Sequence, residues 1–200
     1  MSNTTMTRDT STARKAMIDS QLRTSGVNEE FVLARMMAVP REDHLPDDKA
    51  GLAYIDRSVA LGDDAHLASP LFYGKLLLEA APEPSDRVLI VEGGTGYLAE
   101  LMRPLVAEIT VVSAADAAKG ALPDGAFSMI LVDGAIEALP ESFAGALSDD
   151  GVIVSGLLLR KVTRLASGRK ITGQVTLQPV EDIGMPILHD FDVPTSWTFS

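Results

Sequence analysis

RVLIVEGGTGYLAELM, residues 87–102, is the stretch whose reading decides the fold. Val88-Leu89-Ile90-Val91 is an unbroken apolar run, the pattern of a strand buried on both faces. It breaks into Glu92-Gly93-Gly94-Thr95-Gly96 and continues as a helix-like segment from Tyr97 to Met102. A strand that turns into a helix through glycines offers backbone N–H groups and the positive end of a helix. It also lets a ligand approach the backbone without Cβ clashes. In an open α/β sheet such a turn lies at the carboxyl edge, where ligands bind. Two readings stand side by side, a nucleotide-binding turn and a tight packing turn. Glu92 occupies the place where a nucleotide-binding turn usually has its first glycine. Its carboxylate is a like-charge obstacle to a ligand carboxylate, a partner for an amino group, or a solvated loop residue.

Three more strands follow from this one. EITVV (108–112), FSMILVD (127–133) and GVIVSGL (151–157) are again nearly continuous apolar runs. Helical stretches at 96–107, interrupted by Pro104, and at 140–147 lie between them. Strand–helix alternation with apolar strands implies a parallel sheet covered on both faces. The segment KVTRLASGRKITGQVTLQPV reads as a hairpin turning at Ser167-Gly168-Arg169, which gives antiparallel edge strands. A ribose site ordinarily places an acid at the end of the second strand. Here that strand ends at Ser113, and the next acid is Asp116. The connection onward to residue 127 is just long enough for one crossover, so one helix–strand unit is missing. Asp133 ends its strand at the ligand edge of the sheet, where it reaches a ligand or forms an ordinary Asp-Gly turn.

Toward the N-terminus, residues 1–11 read as a disordered tail. Thr12 caps a helix over 13–24 that Gly26 ends, and Asn28 caps a second that Pro40 ends. The methionines read as packing residues. Residues 41–68 read as loop with one short element near Leu52–Tyr54, and Pro70 opens a helix through Ala80. The domain reading is a tail (1–11), a helical and loop region (12–70) and an α/β unit (71–200), folded as one domain. Trp197 is expected in the core.

Composition narrows the function. The net charge is −11 and no Lys/Arg cluster interrupts it, which argues against nucleic acid. No apolar run approaches the roughly 18 residues that span a bilayer, so no membrane partner is expected. The N-terminus is polar and cysteine is absent, so the expected location is cytoplasmic and thiolate metal sites are excluded. His44, His66 and His189 show no ligand spacing, and no metal is expected. Asp64, His66 and Ser69 are too close in one loop to form a hydrolytic triad.

The residues also resemble a family. MIDSQLRTSGVNEEFVLARMMAVPREDHLP, with Val39-Pro40-Arg41-Glu42 at its turn, is similar to the N-terminal region of protein-L-isoaspartate O-methyltransferases. AYIDRSVALG resembles the segment leading to their substrate loop, VLIVEGGTGYLAELM their S-adenosylmethionine motif, and LSDDGVIV their last glycine turn. MPILHDF resembles a shorter bacterial branch. The resemblance implies a Rossmann-like S-adenosylmethionine-dependent methyltransferase fold with a helical N-terminal extension. It implies S-adenosylmethionine as cofactor and an isoaspartyl protein or peptide as substrate, whose carboxylate attacks the sulfonium methyl in line. Such chemistry rests on positioning, since the carboxylate is already ionised at neutral pH. A homodimer is compatible with it.

Mapped onto this chain, the cofactor shell comprises Glu92, Gly93, Gly94, Thr95, Gly96, Tyr97, Ser113 and Asp133. Ser69 is the one hydroxyl left near the substrate loop. Tyr54 and Asp56 help to fix that loop. The departures are specific. Ala65, His66 and Ala68 replace a glutamine, a threonine and a serine. Glu92 replaces a glycine, Ile90 an acid, and Ser113 the ribose acid. Three functions follow: an isoaspartyl-type methyltransferase, a non-catalytic descendant that binds or regulates, or a Rossmann-like domain for another metabolite.

Overall fold

The computed structural model describes residues 10–193, so residues 1–9 of the expected tail and Trp197 lie outside the described residues. Helix α1 (Ser11–Met17) runs on through a π turn (Ile18–Leu22) and a 3-10 turn (Arg23–Ser25). Gly26 closes it at φ +84°, a left-handed conformation that glycine adopts without steric cost. The expected caps shift by a residue or two. Thr12 lies inside α1, while Thr10 precedes it with its hydroxyl bonded to the Glu42 carboxylate. Helix α2 (Glu30–Ala38) starts after Glu29 rather than Asn28, because the first helical bond runs from Leu33 N–H to the Glu29 carbonyl.

Residues 41–68 are not plain loop. They hold 3-10 turns at Arg41–His44 and Ala50–Leu52, then strands β1 (Val59–Gly62) and β2 (Ala65–Leu67) paired antiparallel. The hairpin tip is Asp63-Asp64 at φ +48° and +60°. A two-residue loop requires positive φ at its centre, and Asp is among the few side chains that tolerate it. Helix α3 (Pro70–Ala80) follows, with Pro70 at its first turn and Ser69 as cap.

The large sheet begins with β3 (Arg87–Glu92), followed by α4 (Tyr97–Met102), β4 (Glu108–Ser113) and α5 (Ala114–Ala118). Then come β5 (Phe127–Ile136), α6 (Ser142–Ala146), β6 (Leu147–Leu159), β7 (Val162–Ile171), β8 (Gln174–Val175) and β9 (Gln178–Asp182). Strands β4-β3-β5-β6 are parallel in that order; β7 adds antiparallel to β6, and β9 to β7. The α/β reading with antiparallel C-terminal strands holds. β4 is the sheet edge, as a missing outer unit requires. The turn expected at Ser167-Gly168-Arg169 is elsewhere: the chain reverses at Arg160-Lys161, φ +53° and +67°. Gly168 pairs with Ile153 inside β7, and a Cβ there would stand 2.6 Å from the Thr176 carbonyl. It is a glycine of close backbone approach, not of a turn.

Each face of the sheet carries its own core. Val88 and Ile90 pack with α2, α3 and Tyr97, while Leu89 and Val91 pack with Phe127, Phe143 and Phe191. Alternate side chains of a strand point to opposite faces, so a strand covered on both sides reads as a continuous apolar run. Met17, Met36, Met102, Met129 and Met185 are all core residues, as expected.

Candidate active site at the switch point of the sheet

From β3 the chain goes to β4 on one side and returns to β5 on the other. The carboxyl ends of β3 and β5 therefore bound the crevice where an α/β sheet takes its ligand. The turn 92–96 lies on one wall and Asp133 on the other. Between them sits the β1–β2 hairpin. The His66 N–H donates to the Gly93 carbonyl at 3.0 Å. The His66 ring lies between two carbonyls, Nδ1 3.2 Å from that of Asp64 and Nε2 3.2 Å from that of Asp133. A Cβ on Gly93 would meet the His66 ring at 2.7 Å, and one on Gly94 would meet the Ala65 Cβ at 2.6 Å. The glycines give way to a segment of the chain itself.

The remaining expected residues also make contacts within the chain. Glu92 folds back, and its carboxylate accepts from the Gly96 N–H. The Thr95 carbonyl lies 2.8 Å from His44 Nδ1, and its hydroxyl accepts from Tyr97 N–H at 3.4 Å. Tyr97, placed by resemblance in the cofactor shell, is fully buried beside the turn. Its ring packs edge-on against Tyr73 (4.9 Å between centroids) and His44 (5.1 Å). The Ser113 hydroxyl caps α5, accepting from Asp116 N–H at 3.1 Å and donating to the Asp116 carboxylate at 2.8 Å. Ser69 likewise accepts from Phe72 N–H at 3.3 Å and caps α3. Its oxygen accepts for the helix, while the hydroxyl proton stays available to donate toward the cavity that Ser69 lines. Ser69→Ala is expected to cost about 1 kcal/mol in thermal or chemical unfolding, the usual loss of a cap.

Asp133 is fully buried. Tyr73 donates its hydroxyl to Asp133 Oδ2 at 3.2 Å, while Oδ1 is buried with no partner among the described residues. Burial pushes this carboxyl up to about 6, and the facing His66 and the Tyr73 hydroxyl hold it from going further. Below the crevice, Arg41 is fully buried. It donates through Nε to the Ala53 carbonyl at 2.6 Å and through Nη2 to the Ala68 carbonyl at 2.7 Å. The guanidinium stands 5.5 Å from the Tyr73 ring centre and 5.0 Å from that of Tyr97.

Tyr54 does tie down the loop: it accepts from Arg14 Nε at 2.7 Å and donates to Glu42. Burial beside the Glu42 carboxylate pushes its phenol up to about 12. Asp56 lines a cavity of 850 Å³ on the outer side of the hairpin, together with Arg57, His66 and Ser69. Sequence reasoning missed the position of His66. Its signal was present: two short runs, VALG and AHL, flank the turn formers Asp63-Asp64, a hairpin pattern that carries His66 onto the glycine turn.

The model of the protein-L-isoaspartate(D-aspartate) O-methyltransferase family matches residues 12–117. The chain belongs to this family. A protein-L-isoaspartate O-methyltransferase of Methylorubrum extorquens is 30% identical over 190 residues, covering 80% of this chain and 83% of the relative. One from Methanoculleus marisnigri is 24% identical over 203 residues, covering 89% and 92%. Among solved structures, a Plasmodium falciparum protein-L-isoaspartate O-methyltransferase in complex with S-adenosyl-L-homocysteine matches with a TM-score of 0.71 at 16% identity. The match covers 88% of this chain and 97% of that one. The α/β sheet is thus the Rossmann-like methyltransferase sheet of the family, whose cofactor is S-adenosylmethionine.

The crevice as folded here does not fit that group. The space left between the turn, α5 and the closing segment is 180 Å³, lined by Asp63, Glu92, Gly94, Ser113 and Leu188 among others. Small-molecule and cofactor sites ordinarily enclose about 300–1,000 Å³. Leu188 closes the far side: its N–H donates to the Ala135 carbonyl at 2.8 Å, and the Ala135 N–H donates to that of Pro186 at 2.8 Å.

Proposed function

We propose that this chain is a protein-L-isoaspartate O-methyltransferase-like protein, with S-adenosylmethionine as donor and an isoaspartyl carboxylate of a protein as acceptor. The observation that carries the reading is the family match across the N-terminal region and the glycine turn, together with a crevice at the corresponding switch point. Gly93, Gly94, Thr95 and Gly96 are the residues proposed to meet the donor, with Glu92 and Ser113 at its rim. The protein partner is part of the family's chemistry. A homodimer is proposed through β4, which pairs only with β3 among the described residues and leaves Val111 43% exposed. A cytoplasmic location is proposed as well; no described helix is long and apolar enough to cross a membrane.

The test is methyl transfer from labelled S-adenosylmethionine to a peptide carrying one isoaspartyl residue, against the same peptide with aspartate. Base-labile methyl ester on the first peptide alone is the expected result. No ester on either would remove the enzyme reading. A second reading, a non-catalytic binding module on the same fold, is favoured by the filled crevice, and that second outcome would leave it standing.

A further inference from the structure

Two backbone groups of the glycine turn are already engaged by this chain. The Gly96 N–H, at the start of α4, is bonded by the Glu92 carboxylate. The Gly93 carbonyl is bonded by the His66 N–H at 3.0 Å. The His66 ring and Ala65 lie where the absence of Cβ at Gly93 and Gly94 leaves room. We infer that Glu92 and the β1–β2 hairpin together form a built-in occupant of the methyl-donor crevice, which the donor must displace in order to bind.

The two parts act differently. Glu92 is an internal anion: it gives the turn the acceptor that the carboxylate or ribose oxygens of a ligand would supply, and it repels an incoming carboxylate. The hairpin is a steric occupant. It is held in the crevice by the non-covalent contacts just described. Arg41 anchors both its flanks, at Ala53 and at Ala68. The hairpin therefore separates two spaces, the 180 Å³ remnant on its inner side and the 850 Å³ cavity on its outer side. Lifting it would merge them into one cleft large enough for a donor with a peptide beside it. Donor affinity is then set by the cost of opening as well as by contact, because a ligand for a minor conformation binds more weakly by that conformation's fraction.

This inference rests on the methyl-donor reading for its ligand but not for its first measurement. Amide exchange by NMR on the whole protein, without ligand, reads the Gly96 N–H directly. It is expected to be protected in the wild type and in Glu92→Gln, whose amide oxygen still accepts, and to exchange at least tenfold faster in Glu92→Ala. Equal rates in all three would overturn the role of Glu92. Calorimetric titration with S-adenosylhomocysteine is expected to show binding tenfold or more tighter for Glu92→Ala than for wild type. Equal affinities would also count against it. In the bound state the His66 N–H is expected to lose its protection, and binding with that protection intact would overturn the hairpin as occupant. Should Glu92→Ala expose Gly96 while no variant binds S-adenosylhomocysteine, the internal occupant stands and the methyl-donor reading falls.

Discussion

Replacing Arg41 by leucine is expected to lower the unfolding free energy by about 3 kcal/mol, and the melting temperature by roughly 10 °C for a chain of this size. The guanidinium is fully buried, makes no ion pair among the described residues, and keeps Nη1 without a hydrogen-bond partner there. Its hydrogen-bond partners are two main-chain carbonyls, and its face lies near Tyr73 and Tyr97. Leucine removes both donors. Each orphaned carbonyl costs roughly 1–3 kcal/mol. The lost ring contacts add about 1 kcal/mol or more in so dry a site. Against this, a buried charge no longer has to be desolvated, which offsets part of the loss.

Arg41→Lys separates the contributions. It keeps the charge, but a single ammonium is not a planar fork and loses the geometry that serves Ala53 and Ala68 together. An intermediate loss is expected. Guanidinium-chloride unfolding followed by circular dichroism measures all three proteins. A leucine variant within 1 kcal/mol of wild type would mean that the two carbonyls find other donors. The effect reaches function, because Ala53 and Ala68 flank the hairpin that fills the crevice. A looser hairpin should raise amide exchange at His66 before global unfolding begins.

This residue also marks how far the sequence could be read. Arg41 sits in Val39-Pro40-Arg41-Glu42, which carried the family resemblance, yet an arginine after a proline turn reads as exposed. Nothing in its spacing says that two tyrosines 32 and 56 residues later will enclose it. The parallel sheet was legible for the opposite reason. Burial on both faces imposes a local signature, the run of Val88 to Val91, that needs no partner to be recognised. The same holds for α3, where Pro70 marks the first turn.

The misplaced features share a cause. Gly168 reads as a turn residue because glycine does two jobs, positive φ and close approach, and only the second applies there. The glycines of the 92–96 turn pose the same ambiguity. They match a cofactor loop in sequence, and in space two of them make room for Ala65 and His66. Ser69 and Ser113, read as candidate ligand hydroxyls, are helix caps. A hydroxyl before a helix is seldom free, and that local rule was available from the sequence alone.

Asp133→Asn is expected to stabilise the protein at pH 8 by about 2 kcal/mol, and to leave it nearly unchanged at pH 4. The wild-type carboxyl is fully buried and its pKa rises from 3.8 to about 6. The folded state therefore holds the proton more tightly than the unfolded chain does. Its contribution is complete below pH 3.8 and is lost as pH rises through about 6. At 1.36 kcal/mol for each pH unit, the interval from 3.8 to about 6 corresponds to a loss of about 3 kcal/mol. Asparagine is neutral throughout and keeps an acceptor for the Tyr73 hydroxyl. Some of the gain is spent on its own imperfect pairing, since wild-type Oδ1 has no partner to inherit.

Four groups face this carboxyl: His66 from β2, Tyr73 from α3, the Gly93 backbone N–H and Glu92 from β3. Glu92 opposes ionisation, and His66 favours it. Urea unfolding of both proteins between pH 4 and 8 gives the difference directly. A variant less stable than wild type at pH 8 would mean that the His66–Asp133 attraction exceeds the cost of burying the charge. In that case the hairpin would be clamped into the crevice most firmly at neutral pH. If desolvation prevails, ionising Asp133 weakens the crevice wall behind the hairpin, and this contribution is greatest below about pH 4, where the carboxyl holds its proton in both states.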